Sequence, residues 1–172
     1  MILDIVTYPD PRLQQKCEPV AEISDEIRRL AADMLETMYA APGVGLAAPQ
    51  VGRNMRLLVM DPAAQDAEKR PRVLINPELT LSGEDLLSEQ EGCLSVPLNY
   101  RADVLRKSRV LLRARDLDGK LIEEELTGFP AIVVQHEADH LDGILFIDRI
   151  SRLRRTMYDS KVKKWLRRKK VA

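Results

Sequence analysis

The only two histidines of this chain stand four residues apart, in the stretch Gln135-His136-Glu137-Ala138-Asp139-His140. Residues four apart on a helix share one face, one turn from each other. A helix here therefore lets both imidazoles grip a single ion, while Glu137 leans toward the same side within reach of water at that ion. Two nitrogen ligands and a carboxylate base make the geometry of a hydrolytic metal site. The competing reading is that paired histidines simply pack or cap a buried helix. Around the metal face, Ala131, Ile132, Val133, Val134 and Leu141 leave the helix apolar nearly all round. The pattern predicts a buried central helix from about Pro130, a good first-turn residue, to about Gly143, a good terminator.

The other elements follow from periodicity. Residues 2–6 read as a short strand, and Tyr8-Pro9-Asp10-Pro11 as a turn. Ser24 or Asp25 caps a helix whose apolar positions run Ile27, Leu30, Ala31, Met34, Leu35, Met38 and Tyr39, ended by Pro42-Gly43. Residues 56–60 and 73–76 read as strands, the second stopped by Pro77, and 82–90 as a polar connection. Residues 110–115 and 120–126 alternate as antiparallel strands joined around Asp118-Gly119, a hairpin signal. A last helix covers about 152–170. Several short strands, few helices and no βαβ alternation predict an α+β fold, with an antiparallel sheet around the metal-binding helix.

At 172 residues, with 45% hydrophobic and 31% charged side chains, the chain suits one soluble domain with a substantial core. No apolar run approaches the length of a membrane span. The first residues show no basic leader or transit-peptide character, so a cytoplasmic location is expected. Two cysteines are too few for a disulfide framework. Zero net charge hides a split: residues 151–172 carry ten Lys/Arg against one acid, so the tail is +9 and residues 1–150 are −9. A catalytic body over 1–150 with a basic helix over 151–172, both within one domain, is the expected organisation. Such a tail points to a polyanionic partner.

A catalytic ion usually has three protein ligands and one open position. No third histidine exists, and no glutamate follows Glu137. Asp142, Asp148 and Asp159 remain possible, although Asp142 is only half a turn from His140 and points elsewhere. Cys93 is the strongest candidate, in a strand-like segment after a glycine, because a thiol beside a cation loses its proton readily. Gly43-Val44-Gly45-Leu46-Ala47-Ala48-Pro49-Gln50 is too small and apolar for a surface linker, and it is not a phosphate loop. Its glycines allow close approach of a backbone or ligand, and Gln50 offers an amide to a ligand oxygen.

Three blocks together resemble the signature motifs of the peptide deformylase family. They are Gly43-Val44-Gly45-Leu46-Ala47-Ala48-Pro49-Gln50, Glu91-Gly92-Cys93-Leu94-Ser95 and Gln135-His136-Glu137-Ala138-Asp139-His140-Leu141-Asp142-Gly143. Tyr8-Pro9-Asp10-Pro11-Arg12-Leu13 and Ile75-Asn76-Pro77-Glu78 are also similar to that family. The resemblance implies that Cys93, His136 and His140 hold one divalent ion per chain, ferrous iron in the cell, with zinc or nickel able to take its place. It implies Glu137 as general base and then general acid, with the Gln50 amide and the Leu94 N–H as oxyanion donors. The chain near Val44 and Gly45 would pair with an extended substrate. Val44, Phe129, Ile132 and Val133 would line a methionine pocket. The run Ser95-Val96-Pro97-Leu98-Asn99-Tyr100-Arg101 is one residue longer than the family pattern, leaving Arg101 and Arg106 as substrate-side arginines.

The implied reaction is hydrolysis of the formyl group from formyl-methionyl nascent peptides by a monomeric enzyme. A zinc-dependent endopeptidase is the alternative, since His-Glu-x-x-His alone fits both. An RNA-binding module with a structural metal is a third reading, but it needs four protein ligands. The family resemblance also implies that the basic helix docks on the ribosome, through Lys161, Lys163, Lys164, Arg167 and Arg168. The alternative is a solvated, solubilising helix face.

Overall fold

The computed structural model describes residues 1–171; Ala172, the last position of the expected tail, lies outside the described residues. The described residues form a five-stranded antiparallel meander and three α-helices, together with three short 3-10 helices, which is the α+β class expected. The strands are β1 (Gly45–Ala47), β2 (Leu57–Met60), β3 (Arg72–Glu91), β4 (Ala102–Arg115) and β5 (Leu121–Thr127), in the spatial order β1-β2-β3-β4-β5.

Helix α1 (Asp25–Ala40) starts where Ser24 accepts the Ile27 N–H at 3.4 Å, and Asp25 and Glu26 occupy its first turn, facing the positive end of the helix dipole. Its apolar stripe packs Ile27, Leu30, Met34 and Met38 against Leu57, Val59 and Ile75 of the sheet. Helix α2 (Gly128–Leu141) covers the opposite face, where Ala131, Val134 and Leu141 meet Leu58, Met60, Leu74, Val110 and Leu112. Strand β2 sends alternate side chains to the two helices, which is why all four of its residues are buried. Each such aliphatic side chain contributes roughly 1.5–3 kcal/mol on burial. Helix α3 (Arg152–Val171) buries Tyr158 and Val162 in a third cluster with Tyr8, Leu13, Val96 and Phe146.

Several expectations need correction. Residues 2–6 are not a strand: the Leu3 N–H goes to Thr37 Oγ1 at 2.8 Å and the Val6 N–H to the Gln50 carbonyl at 2.7 Å, so the segment is strapped down by single bonds rather than a ladder. Pro77 does not stop β3. It falls in a register shift between Ile75 and Glu78, where no ladder N–H is required. The strand continues through the supposed connection 82–90, paired with a β4 that begins eight residues before its expected start. Cys93 is not in a strand either; it follows the end of β3.

Helix α2 stops where Gly143 adopts φ +74°, and a Cβ there would stand 2.5 Å from the Gln14 carbonyl oxygen. That stop, together with the sheet beneath, fixes where the two histidines face.

Candidate metal centre and substrate cleft

Helix α2 places His136 and His140 one turn apart, with ring centroids 5.2 Å from each other. The turn after β3 brings Cys93 to them. Cys93 Sγ lies 3.3 Å from His140 Nε2, and one ligand atom from each of the three residues lies within 4.8 Å of the others. Metal–sulfur and metal–nitrogen bonds of ordinary length at a tetrahedral angle put S and N about 3.6 Å apart, so Cys93 and His140 stand near ligand spacing and His136 is close enough to share the same ion. A thiol with two imidazoles suits a borderline-soft divalent cation such as zinc or iron. Burial, helped by the Arg106 charge, pushes His140 well below its ordinary value and keeps its ring neutral, the form that binds metal.

The surrounding groups complete the fit. His136 Nδ1 is 2.5 Å from Glu91 Oε1, which fixes the ring and leaves Nε2 toward the thiol and His140. Glu137 Oε1 stands 3.8 Å from His136 Nε2, and Glu137 Oε2 is a buried oxygen without a hydrogen-bond partner among the described residues. Burial pushes the Glu137 carboxyl up to about 7, against the pull of His136. A carboxyl that titrates near neutrality can both take and return a proton.

Gln50 is buried beside the same centre. The Ala47 N–H donates to Gln50 Oε1 at 2.9 Å, which turns the amide NH2 toward Ser95 Oγ (3.1 Å) and Cys93 Sγ (3.5 Å). The cleft in front has a volume of about 590 Å³. Val44, Gly45, Gln50, Cys93, Leu94 and Arg101 line it from one side, and Phe129, Ile132, Val133, His136 and Glu137 from α2. Apart from Arg106, the candidates for catalysis and substrate binding are thus in one place. Phe129 is half exposed at the rim.

A family model described as polypeptide deformylase matches residues 2–156. The chain belongs to the polypeptide deformylase family. It is 52% identical over 170 residues to a peptide deformylase of Alkalilimnicola ehrlichii, covering 99% of this chain and 94% of that protein. A solved peptide deformylase from Legionella pneumophila superposes with a TM-score of 0.88 at 40% identity, covering 98% of each chain. A peptide deformylase from Ehrlichia chaffeensis, solved in complex with actinonin, gives a TM-score of 0.87 at 39% identity, with 95% of this chain and 96% of that one covered. The deformylase reaction, hydrolytic removal of the N-formyl group from nascent polypeptides by a metal-dependent hydrolase, is therefore the activity of this chain. The endopeptidase alternative finds no support in these relatives.

Within this deformylase frame Arg106 is not a substrate-side arginine. It is only 5% exposed and lies off the cleft, with its guanidinium on Glu91 and on Asp139 Oδ2 at 3.1 Å. Glu91 stands in a motif block where the sequence assigns it no role, and it is the residue that orients His136. The only sequence signal for it is its place two residues before Cys93. Lys161, Lys163, Lys164, Arg167 and Arg168 are all exposed along α3. No helix among the described residues is long and apolar enough to cross a membrane.

Proposed function

We propose that Cys93, His136 and His140 hold one divalent ion and that Glu137, Gln50 and Leu94 carry out formyl hydrolysis beside it. The observation that carries this reading is the meeting of a thiol, two imidazoles and a buried carboxylate in one cluster, of which Cys93, His136 and Glu137 line the cleft. When bound, the ion acidifies water and draws charge from the formyl oxygen. Glu137 accepts the proton of the attacking water. The same carboxyl then delivers it to the nitrogen of the breaking amide, so the amine leaves neutral. Gln50 Nε2 and the Leu94 N–H donate to the oxygen as its charge develops, each such donor contributing about 2.7–4 kcal/mol to the transition state.

The substrate's methionine side chain enters between Val44, Phe129, Ile132 and Val133, while its backbone runs beside Val44 and Gly45 as an added strand. Arg101, exposed on the lining of the cleft, meets the following residues of the peptide. Ferrous iron is the cellular ion in this reading. Zinc or nickel serves in its place, since both accept thiolate and imidazole. The enzyme works as a monomer in the cytoplasm, with residues 1–150 and the basic helix forming one domain. Lys161, Lys163, Lys164, Arg167 and Arg168 place it on the ribosome by binding phosphates without sequence preference.

Formate release from formyl-Met-Ala-Ser, blocked by actinonin, together with no cleavage of internal N-blocked peptides, is the expected result. Cleavage of the internal peptide bonds without formate release would overturn the reading.

A further inference from the structure

Four charged side chains form a continuous chain from solvent to His136: Arg149, Asp139 and Arg106 line a groove separate from the substrate cleft, and Glu91 reaches the cleft lining. Arg149 grips Asp139 with two bonds, Nε to Oδ2 at 2.7 Å and Nη2 to Oδ1 at 2.8 Å. Asp139 Oδ2 also accepts from Arg106 Nη1 at 3.1 Å. Arg106 turns its other edge to Glu91, with Nε to Oε2 at 3.0 Å and Nη2 on Oε1. Glu91 Oε1 in turn meets His136 Nδ1 at 2.5 Å. Side-chain exposure falls steeply from the solvent end, from 41% at Arg149 through 14% at Asp139 to 3% at Arg106 and 7% at Glu91.

We propose that Arg149 is a positioning residue for the metal ligand His136, acting through Asp139, Arg106 and Glu91. The proposal rests on the reading of His136 as a ligand. Its logic is charge balance. Arg106 is one cation between two carboxylates, Glu91 and Asp139, and both compete for it. Arg149 supplies the second cation. It satisfies Asp139 from the solvent side and leaves Arg106 free to clamp Glu91 in the plane that receives the His136 Nδ1–H. Without Arg149, Asp139 draws Arg106 outward, Glu91 loses its fork of donors, and the His136 ring loses its fixed tautomer and direction. Bidentate guanidinium geometry is what makes each link directional, so lysine is not equivalent at either position.

A merely structural ion pair makes a different prediction from a relay, because only a relay is repaired by removing the competitor. In Arg149→Gln, zinc affinity of the full chain, measured by competition with a chelator, should fall about tenfold, the low end of what loss of a ligand's outer partner produces. In the Asp139→Asn/Arg149→Gln double variant nothing competes for Arg106, and affinity should return to within about threefold of the parent. The His136 Nδ1–H resonance of the zinc-loaded protein should shift in the single variant and return in the double one. An Arg149→Gln affinity within about twofold of the parent, or a double variant no better than the single, would overturn the relay. A parent chain that binds no zinc would instead remove the underlying ligand assignment, so the two failures are distinguishable.

Discussion

The α-carbon of Gly45 lies directly against the side chain of Glu137: a Cβ built there would stand 2.6 Å from Glu137 Cγ and 2.7 Å from Oε1. Strand β1 thus forms the wall that sets where the base can be. Gly45→Ala should push the carboxyl off its line while leaving Cys93, His136 and His140 in place. A displacement of order 1 Å costs about a hundredfold in rate. Steady-state kinetics with metal analysis should show kcat reduced by about that factor at unchanged metal content. Parent-like kcat would mean that Glu137 has room to relax.

Glu137 itself divides metal binding from chemistry. Glu137→Gln keeps the volume and should retain one ion per chain, yet lose about 10²–10⁴ in kcat/KM for a formyl-methionyl peptide. Turnover within about tenfold of the parent would remove Glu137 as the proton carrier.

The position of the Glu137 titration gives a pH signature of definite sign. An acid raised by burial to about 7 holds its proton more tightly folded than unfolded. The metal-free chain should therefore lose stability as pH rises from about 4.3, the value in an unfolded chain, through about 7. Glu137→Gln should abolish that portion of the urea-midpoint profile. A bound cation favours the ionised carboxylate, so the acid limb of kcat/KM in the metal-loaded enzyme should lie below about 7. A limb above that value would contradict the assignment of Glu137 as the base.

The basic face of α3 should act on location and not on chemistry. Changing Lys161, Lys163, Lys164, Arg167 and Arg168 to glutamine should leave hydrolysis of short formyl peptides unchanged. Co-sedimentation with ribosomes should weaken, and the salt dependence of log K should flatten by about one for each phosphate no longer neutralised. Equal binding by parent and variant would leave the charge as a solubilising face only.

How far the sequence can be read depends on whether its signals are local. Helix α1 and the His136–His140 face of α2 announce themselves through spacings of three and four, and the Asp118-Gly119 turn marks the β4–β5 hairpin. The long β3 is hidden because Pro77 sits at a register shift and residues 81–85 are all exposed, so no alternation shows there. Cys93 and Gln50 are singled out by side-chain chemistry before the motif blocks add family resemblance, which points to the pocket residues. The chain from His136 through Glu91 and Arg106 to Asp139 joins residues 45, 15 and 33 positions apart. No window along the sequence contains that chain, which is why Arg106 reads as a substrate arginine until its partners are seen.

X-ray absorption at the metal edge of the zinc-loaded protein tests most directly whether one thiolate and two imidazoles surround a single cation. One sulfur neighbour at about 2.3 Å and nitrogen or oxygen neighbours at about 2.0–2.1 Å are predicted, with the sulfur contribution disappearing in Cys93→Ser. A parent spectrum without sulfur, or one unchanged by that substitution, would contradict the assignment.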